Sequence, residues 1–409
     1  MSSAGKAFAV AGLAALAWAV APVAEAQPPI RIGASLSQTG GRAAPGQNQL
    51  RGYQLCVKHM NDKGGVLGRK LELVLYDDGS DPATAVRLYE KLITQGKVNL
   101  VLGPLSPDIT DAVADVTEKH KMPMMAPTAG VTSIYRKGRK FIFSMNPPGE
   151  LQQEGLIDLA AKKGLKTVAL LNVDILFGRA VIQGAVELAK KKGLQVVFVD
   201  TYPQGTTDFS TILTKVRAAN PDVLGGATFG FEDAVAITRQ MKALNVNPRM
   251  VGLTVGVDTR KFYEVLGRDA EFVYGATSWA PELVDTRAGG LIPIARQYPG
   301  AREFVESYKK EFPGADLSYH SAVGYGGCQI LVEAIKRAGS LNGEKLRDAI
   351  SKMDHNTVFG GFRVDRDGIQ IGHKRLLFQW QDGKKVIVWP EELAPNQPRF
   401  PTPPWSQRP

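Results

Sequence analysis

The sequence predicts an α/β protein built on doubly wound parallel sheets, and three observations carry that reading. From Ile30 onward, short apolar runs alternate with helical patterns, the order that a parallel sheet with crossover helices requires. The rhythm pauses at Pro147-Pro148 and then begins again, so two α/β units of similar size are expected. Finally, Asn99–Leu102 and Met122–Ala126 are buried-strand patterns that both end in small, hydroxyl-bearing turns, Gly103-Pro104-Leu105-Ser106 and Pro127-Thr128-Ala129-Gly130. In a parallel sheet such turns lie side by side at the carboxyl edge, where folds of this class bind ligands. They combine backbone N–H groups, helix N-termini and a Ser or Thr hydroxyl, a set suited to a small anion such as a carboxylate.

The first 26 residues read as a cleaved export signal. Lys6 gives a positive start, Ala7–Val20 is unbroken apolar sequence, and Ala24-Glu25-Ala26 is an A-x-A cleavage site that places the mature start at Gln27. The apolar stretch is short for a bilayer span, and no later segment reaches 18 apolar residues, so a soluble periplasmic protein without membrane insertion is expected.

Ile30–Leu36 is the first strand, followed by a polar, Gly-rich stretch, Ser37–Gln49. Leu50–Asp62 is a helix closed by Gly64-Gly65, and Leu71–Tyr76 is the next strand. Asp81-Pro82 starts a helix with an N-cap and Pro in its first turn. Its Ala85, Leu88, Tyr89, Leu92 and Ile93 form one apolar face. After Leu102, Ser106 or Asp108 can cap a helix over Ile109–His120. In the second unit strands are expected at Thr167–Asn172, Gln195–Asp200, Val223–Thr228 and Met250–Leu253. Helices are expected at Gly178–Lys192, Phe209–Ala219 and Glu232–Leu244. A long helix at Ser321–Ala338 and one around Leu346–Ile350 precede strand-like alternation at Phe359–Val364 and Arg375–Trp380. Ala394–Pro409 holds six prolines without apolar periodicity and reads as an extended strap or disordered tail.

Composition narrows the function. At 409 residues, 44% hydrophobic and 22% charged, the chain can bury two cores. Its net charge of +10 is scattered, and the densest basic runs, Arg136–Lys140 and Lys190-Lys191-Lys192, sit beside Gly at element ends without interleaved aromatics. That is a solvated face and not a nucleic-acid groove. There is no G-x-S-x-G elbow, G-K-[ST] phosphate loop, H-E-x-x-H or C-x-x-C, and the five histidines show no metal-ligand spacing. No catalytic residue, cofactor or metal is expected. Export permits a bond between Cys56 and Cys328, but spacing does not show proximity, and buried free thiols are the favoured reading.

Three segments carry a family resemblance: Ile32-Gly33-Ala34-Ser35-Leu36-Ser37-Gln38-Thr39-Gly40; Asn61-Asp62-Lys63-Gly64-Gly65-Val66-Leu67-Gly68-Arg69-Lys70 with the strand to Asp77-Asp78; and Thr206-Thr207-Asp208-Phe209-Ser210 with Ala219-Asn220-Pro221-Asp222-Val223. In this order they resemble the branched-chain amino-acid-type (Leu/Ile/Val-binding) solute-binding proteins of bacterial ABC importers, over about Ile30 to Pro390. The resemblance implies the type I periplasmic-binding-protein fold, two Rossmann-like lobes joined by three hinge crossings. Lobe I would take 27–147 and 279–355, lobe II 148–278 and 356–390, with 391–409 as a Pro-rich tail. It further implies a monomer that closes around a ligand in the interlobe cleft and presents it to importer membrane subunits.

By the same resemblance, Ser106, Thr128 and Ala129 would grip a ligand carboxylate, and Phe177 would close over it from the second lobe. Phe229, Tyr319 and His320 are further wall candidates. Two departures stand out. Where amino-acid binders place an acid for the α-ammonium, this chain has Thr254-Val255-Gly256, and where they place a second hydroxyl it has Gly130. A bare ammonium in a closed cleft needs a charged partner. Either Asp174 or Glu232 substitutes, or the ligand has no ammonium and Arg42 pairs with a carboxylate. Aliphatic amino acids and aromatic or other organic acids both remain open, as do a ligand-sensing receptor domain and a secreted hydrolase.

Overall fold

The computed structural model describes residues 1, 27–284, 298–394 and 396–408. The expected signal segment, with its cleavage after Ala26, lies outside them apart from residue 1.

The first sheet has five strands, β1 (Ile30–Leu36), β2 (Leu71–Asp77), β3 (Leu100–Leu102), β4 (Met124–Ala126) and β5 (Ile142–Ser144), in the order β2-β1-β3-β4-β5. All its pairings are parallel, with Ile30 opposite Leu71 and Leu36 opposite Asp77. Helices Ala43–Asp62, Pro82–Thr94 and Pro107–Lys119 connect successive strands. Asp81 caps the second of these, its side chain accepting from Thr84 N–H with Pro82 in the first turn, as its sequence requires.

The second sheet has seven strands, β6 (Thr167–Val173), β7 (Gln195–Tyr202), β8 (Val223–Ala227), β9 (Met250–Leu253), β10 (Val273–Thr277), β13 (Leu376–Gln381) and β14 (Lys384–Trp389), ordered β14-β13-β10-β9-β8-β6-β7. The pairings among β6 to β10 are parallel, but β13 and β14 run antiparallel, a departure from an all-parallel sheet. They are joined by Asp382-Gly383, both at positive φ (51° and 73°), the two-residue turn that matches the twist of a hairpin. β11 (His355–Thr357) and β12 (Gly360–Phe362) form a separate small hairpin.

Three differences from the sequence reading affect the site. The first helix begins at Ala43, inside the stretch read as a Gly-rich loop, and Gly46 lets it seat on the turn after β1, where a Cβ would stand 1.9 Å from the Ser37 carbonyl oxygen. Within 356–390, expected with the second lobe, the stretch around Gly368 and Gln370 is bonded to the end of β5: Ser144 N–H donates to the Gly368 carbonyl (2.8 Å) and the Gln370 amide donates to the Met145 carbonyl (3.2 Å). Cys56 and Cys328 are joined, not free, with Cα atoms 6.3 Å apart. Their helices, Ala43–Asp62 and Tyr319–Ala338, approach closely because Gly52 faces the Ser321 carbonyl and Gly324 the Gln49 carbonyl. A Cβ at those glycines would sit 2.2 Å and 2.6 Å from the two oxygens.

The proline-rich end is a strap on the second sheet's unit. Thr402 N–H donates to the Arg249 carbonyl (2.9 Å), and the Trp405 indole donates to the Val246 carbonyl (2.8 Å). No helix among the described residues is long and apolar enough to cross a membrane.

Candidate ligand cleft

The site is assembled from turns at the carboxyl edges of the two sheets. Two aspartates at the end of β2 fix the loop after β1. Buried Asp78 accepts from the hydroxyls of Ser35 (3.0 Å) and Ser37 (2.7 Å); burial raises its carboxyl and those bonds oppose the rise. Asp77 accepts from the N–H groups of Gln38 and Gly79 (2.9 Å each) and the Thr39 hydroxyl (2.8 Å); burial works against it, but these bonds hold its carboxyl below its ordinary value.

That loop delivers Arg42. Its Nη2 pairs with Asp108 Oδ2 at 2.8 Å, its Nη1 donates to the Ser80 carbonyl at 3.3 Å, and its Nε is buried without an acceptor. Arg42 is 9% exposed, and its guanidinium carbon lies 5.5 Å from the centroid of the Phe229 ring on the turn after β8. Asp108 is shared, because the Ser106 hydroxyl donates to its other oxygen at 2.8 Å. Ser106 stands at the helix N-cap position without a side-chain cap bond, and its φ of 75° is in the left-handed region that a non-glycine residue enters only under constraint. Its N–H points at the Thr128 hydroxyl (3.4 Å), which in turn donates to Gln49 Oε1 (3.2 Å). Asp108, read from the sequence only as a possible helix cap, therefore joins Arg42 to Ser106, Ser106 meets Thr128 directly, and Gln49, which sequence reasoning did not single out, orients the Thr128 hydroxyl.

The other expected residues are placed unequally. Ala129 is fully buried among core side chains, and its carbonyl receives the Tyr135 hydroxyl, so only its backbone N–H is left to serve a ligand. Half-buried Phe177 packs against apolar clusters of both sheets' units. Thr254 is 1% exposed, and its hydroxyl donates to the Thr228 carbonyl (3.1 Å), while Thr228 bonds Val255 in return (2.8 Å). Thr254 thus helps stitch the turn after β9 to the turn after β8. The rings of Tyr319 and His320 lie with centroids 3.9 Å apart, tilted by 32° to one another. Burial raises the Tyr319 phenol and pulls His320 down to about 3, so both are neutral near pH 7.

Neither substitute acid fits a cleft cation. Asp174 pairs with Arg179 at 2.5 Å with both side chains more than half exposed, and Glu232 is exposed on a first helical turn. A different acid lies on the turn after β9. Asp258 is 9% exposed, and burial raises its carboxyl to about 6, with Lys385 opposing the rise and Asp316 adding to it. Lys385 donates to the Asp258 carbonyl (2.9 Å) and lies 3.5 Å from Glu282. Among the described residues no group of three or more His, Cys, Asp or Glu is placed to hold a metal.

The arrangement matches known proteins in kind. The family described as periplasmic binding protein matches residues 29–385. A Leu/Ile/Val-binding protein homolog 7 of Brucella melitensis is 26% identical over 400 residues, 93% of this chain and 96% of that protein. A leucine-binding protein from Thermotoga maritima superposes with a TM-score of 0.76 at 25% identity, covering 88% of this chain and 97% of that one. An R. palustris ABC-transporter solute-binding protein in complex with benzoate gives a TM-score of 0.73 at 19% identity, over 88% and 95% of the two chains.

Proposed function

The chain belongs to the periplasmic binding protein family, and from that premise we propose that it captures a small carboxylate-bearing ligand between two lobes and delivers it to an ABC importer. Each lobe is built on one sheet, and the mature chain starts at Gln27 and acts as a monomer in the periplasm. The observation that carries this reading is the buried guanidinium of Arg42, joined through Asp108 to Ser106 and from there to Thr128, facing the Phe229 ring. A cation held by one carboxylate, with a buried N–H unused, beside two hydroxyls and an aromatic wall, suits an anion with an apolar body. Aromatic or other organic acids without an ammonium group fit it best.

A second reading keeps the amino acids. Buried Asp258, four positions past Thr254, would take the place of the missing acid and receive an ammonium. The fold is common to benzoate-bound and leucine-binding neighbours and favours neither reading, while the Leu/Ile/Val-binding relatives support the second by their names.

The test is a thermal-shift screen of residues 27–409 against leucine, isoleucine and valine on one side and benzoate and short organic acids on the other. A ligand at about 100 times its dissociation constant stabilises the fold by roughly 2.7 kcal/mol. Shifts confined to the acids support the Arg42 reading, and shifts confined to the amino acids support Asp258. Silence from both panels overturns the carboxylate reading.

A further inference from the structure

Arg375 is a buried charge whose hydrogen bonds go to none of the candidate ligand residues. It is 4% exposed, and among the described residues no carboxylate forms an ion pair with it. Its guanidinium is spent on the chain itself. Nη1 donates to Ser278 Oγ (2.9 Å), Nη2 to the carbonyls of Pro147 (2.6 Å) and Pro148 (3.1 Å), and Nε to the Pro148 carbonyl (3.2 Å). These acceptors lie on two passages between the sheets, after β5 and after β10, while Arg375 itself stands on the third, just before β13. The same passages are bonded again around it. Ser278 Oγ donates to Asn146 Oδ1 (2.6 Å), and His373 Nε2 bonds the Ser278 carbonyl (2.7 Å). A carbonyl only accepts, so His373 carries its proton on Nε2.

A guanidinium buried without a carboxylate is costly unless every donor finds an acceptor. Pro147-Pro148 supplies carbonyls that need such a donor. Consecutive prolines have no N–H and cannot join a sheet ladder, so their carbonyls must be satisfied from elsewhere. The planar fork of donors then holds the acceptors in fixed mutual positions, which a point charge on a flexible stem cannot do. One passage cannot turn alone without stripping bonds from a buried cation.

We propose that Arg375 is a hinge pin, a positioning residue that makes the three passages between the sheets move as one unit and so sets the balance between open and closed lobes. This rests on the two-lobe capture reading above. The test uses residues 27–409 without any added ligand. Amide hydrogen exchange and small-angle X-ray scattering are compared for wild type, Arg375→Lys and Ser278→Ala. The lysine keeps the charge but cannot span Ser278 and both proline carbonyls, and the alanine removes the hydroxyl that links two passages. The expected result is faster exchange in both variants, on the order of tenfold, together in 144–152, 277–280 and 372–376, with the interiors of β8 and β9 unchanged and an enlarged radius of gyration. Faster exchange confined to the segment carrying the substitution overturns the proposal. So does faster exchange spread evenly through β8 and β9, which marks a general loss of stability, or an unchanged radius of gyration. If Arg375→Lys does not fold, Ser278→Ala decides alone. No readout depends on a ligand, so failure here leaves the capture reading standing, and silent ligand panels leave the pin standing.

Discussion

The guanidinium carbon of Arg42 sits 5.5 Å from the centre of the Phe229 ring, so a cation from the loop after the first strand meets an aromatic side chain carried by the other sheet. The same guanidinium is held from behind by Asp108 at 2.8 Å. A charge fixed on one side and laid against an aromatic face on the other is preorganised, and it loses little side-chain freedom when an anion arrives.

Arg42→Gln is therefore expected to weaken binding of whichever carboxylate the screen identifies by about 10- to 100-fold, the range for losing a charge-assisted hydrogen bond of about 1.5–3 kcal/mol. Phe229→Ala should cost less, roughly 3- to 30-fold, because it removes ring contact and leaves the ion contact in place. Isothermal titration calorimetry on the two variants checks the order. Equal losses would mean that Arg42 acts only by packing on the ring.

Asp258 gives the protein a pH-dependent stability of definite sign. Its folded carboxyl lies near 6 against an ordinary 3.8, chiefly through burial. Between those values the folded chain binds more protons than the unfolded chain, so this contribution favours folding in acid and is lost as pH rises to about 6. Asp258→Asn removes the dependence. Relative to wild type the variant should gain stability from pH 4 to pH 7 by up to about 3 kcal/mol. Urea unfolding at pH 4, 5, 6 and 7 measures the difference.

The Cys56–Cys328 bond closes a separation of 272 residues between two helices packed through glycine. Replacing both cysteines by serine is expected to destabilise the chain by about 2–5 kcal/mol while leaving ligand affinity unchanged. Both cysteines are fully buried, so dithiothreitol should lower the melting temperature only after a denaturing step exposes them. Thermal melts before and after such a step distinguish this from rapid reduction of the native protein.

The strap is expected to contribute stability and not binding. Ending the chain at Leu393 uncovers the Val246 and Arg249 carbonyls and removes a Trp405 side chain that is 9% exposed. The expected loss is roughly 2–4 kcal/mol, from one large aromatic and a few hydrogen bonds. Chemical denaturation of the shortened chain tests it, with calorimetric binding held as the control.

The sequence was legible where the physics is local. The strand at Ile30–Leu36, the capped helix after Asp81 and the turns that carry Ser106 and Thr128 all lie where periodicity and turn chemistry put them. Some local signals were present and unread. Asp382-Gly383 announces a hairpin, and the repeated spacing Gly52-Tyr53 to Cys56 and Gly324-Tyr325 to Cys328 marks two helices with small faces and a thiol one turn on. The three-residue strand β5 is too short for any period to show.

By itself, then, the sequence determined the alternation of strand and helix, two α/β units and the carboxyl-edge turns, because each depends on residues within a few positions of one another. Only the tertiary structure decided that Gln49 orients Thr128, that Asp108 joins Arg42 to Ser106, that Asp258 and not Asp174 or Glu232 is the buried acid, and that Arg375 gathers three distant passages. Those pairings join residues up to 228 positions apart. Hydrogen bonding and desolvation depend on distance in space, and no sequence period encodes which remote side chains will share a buried site.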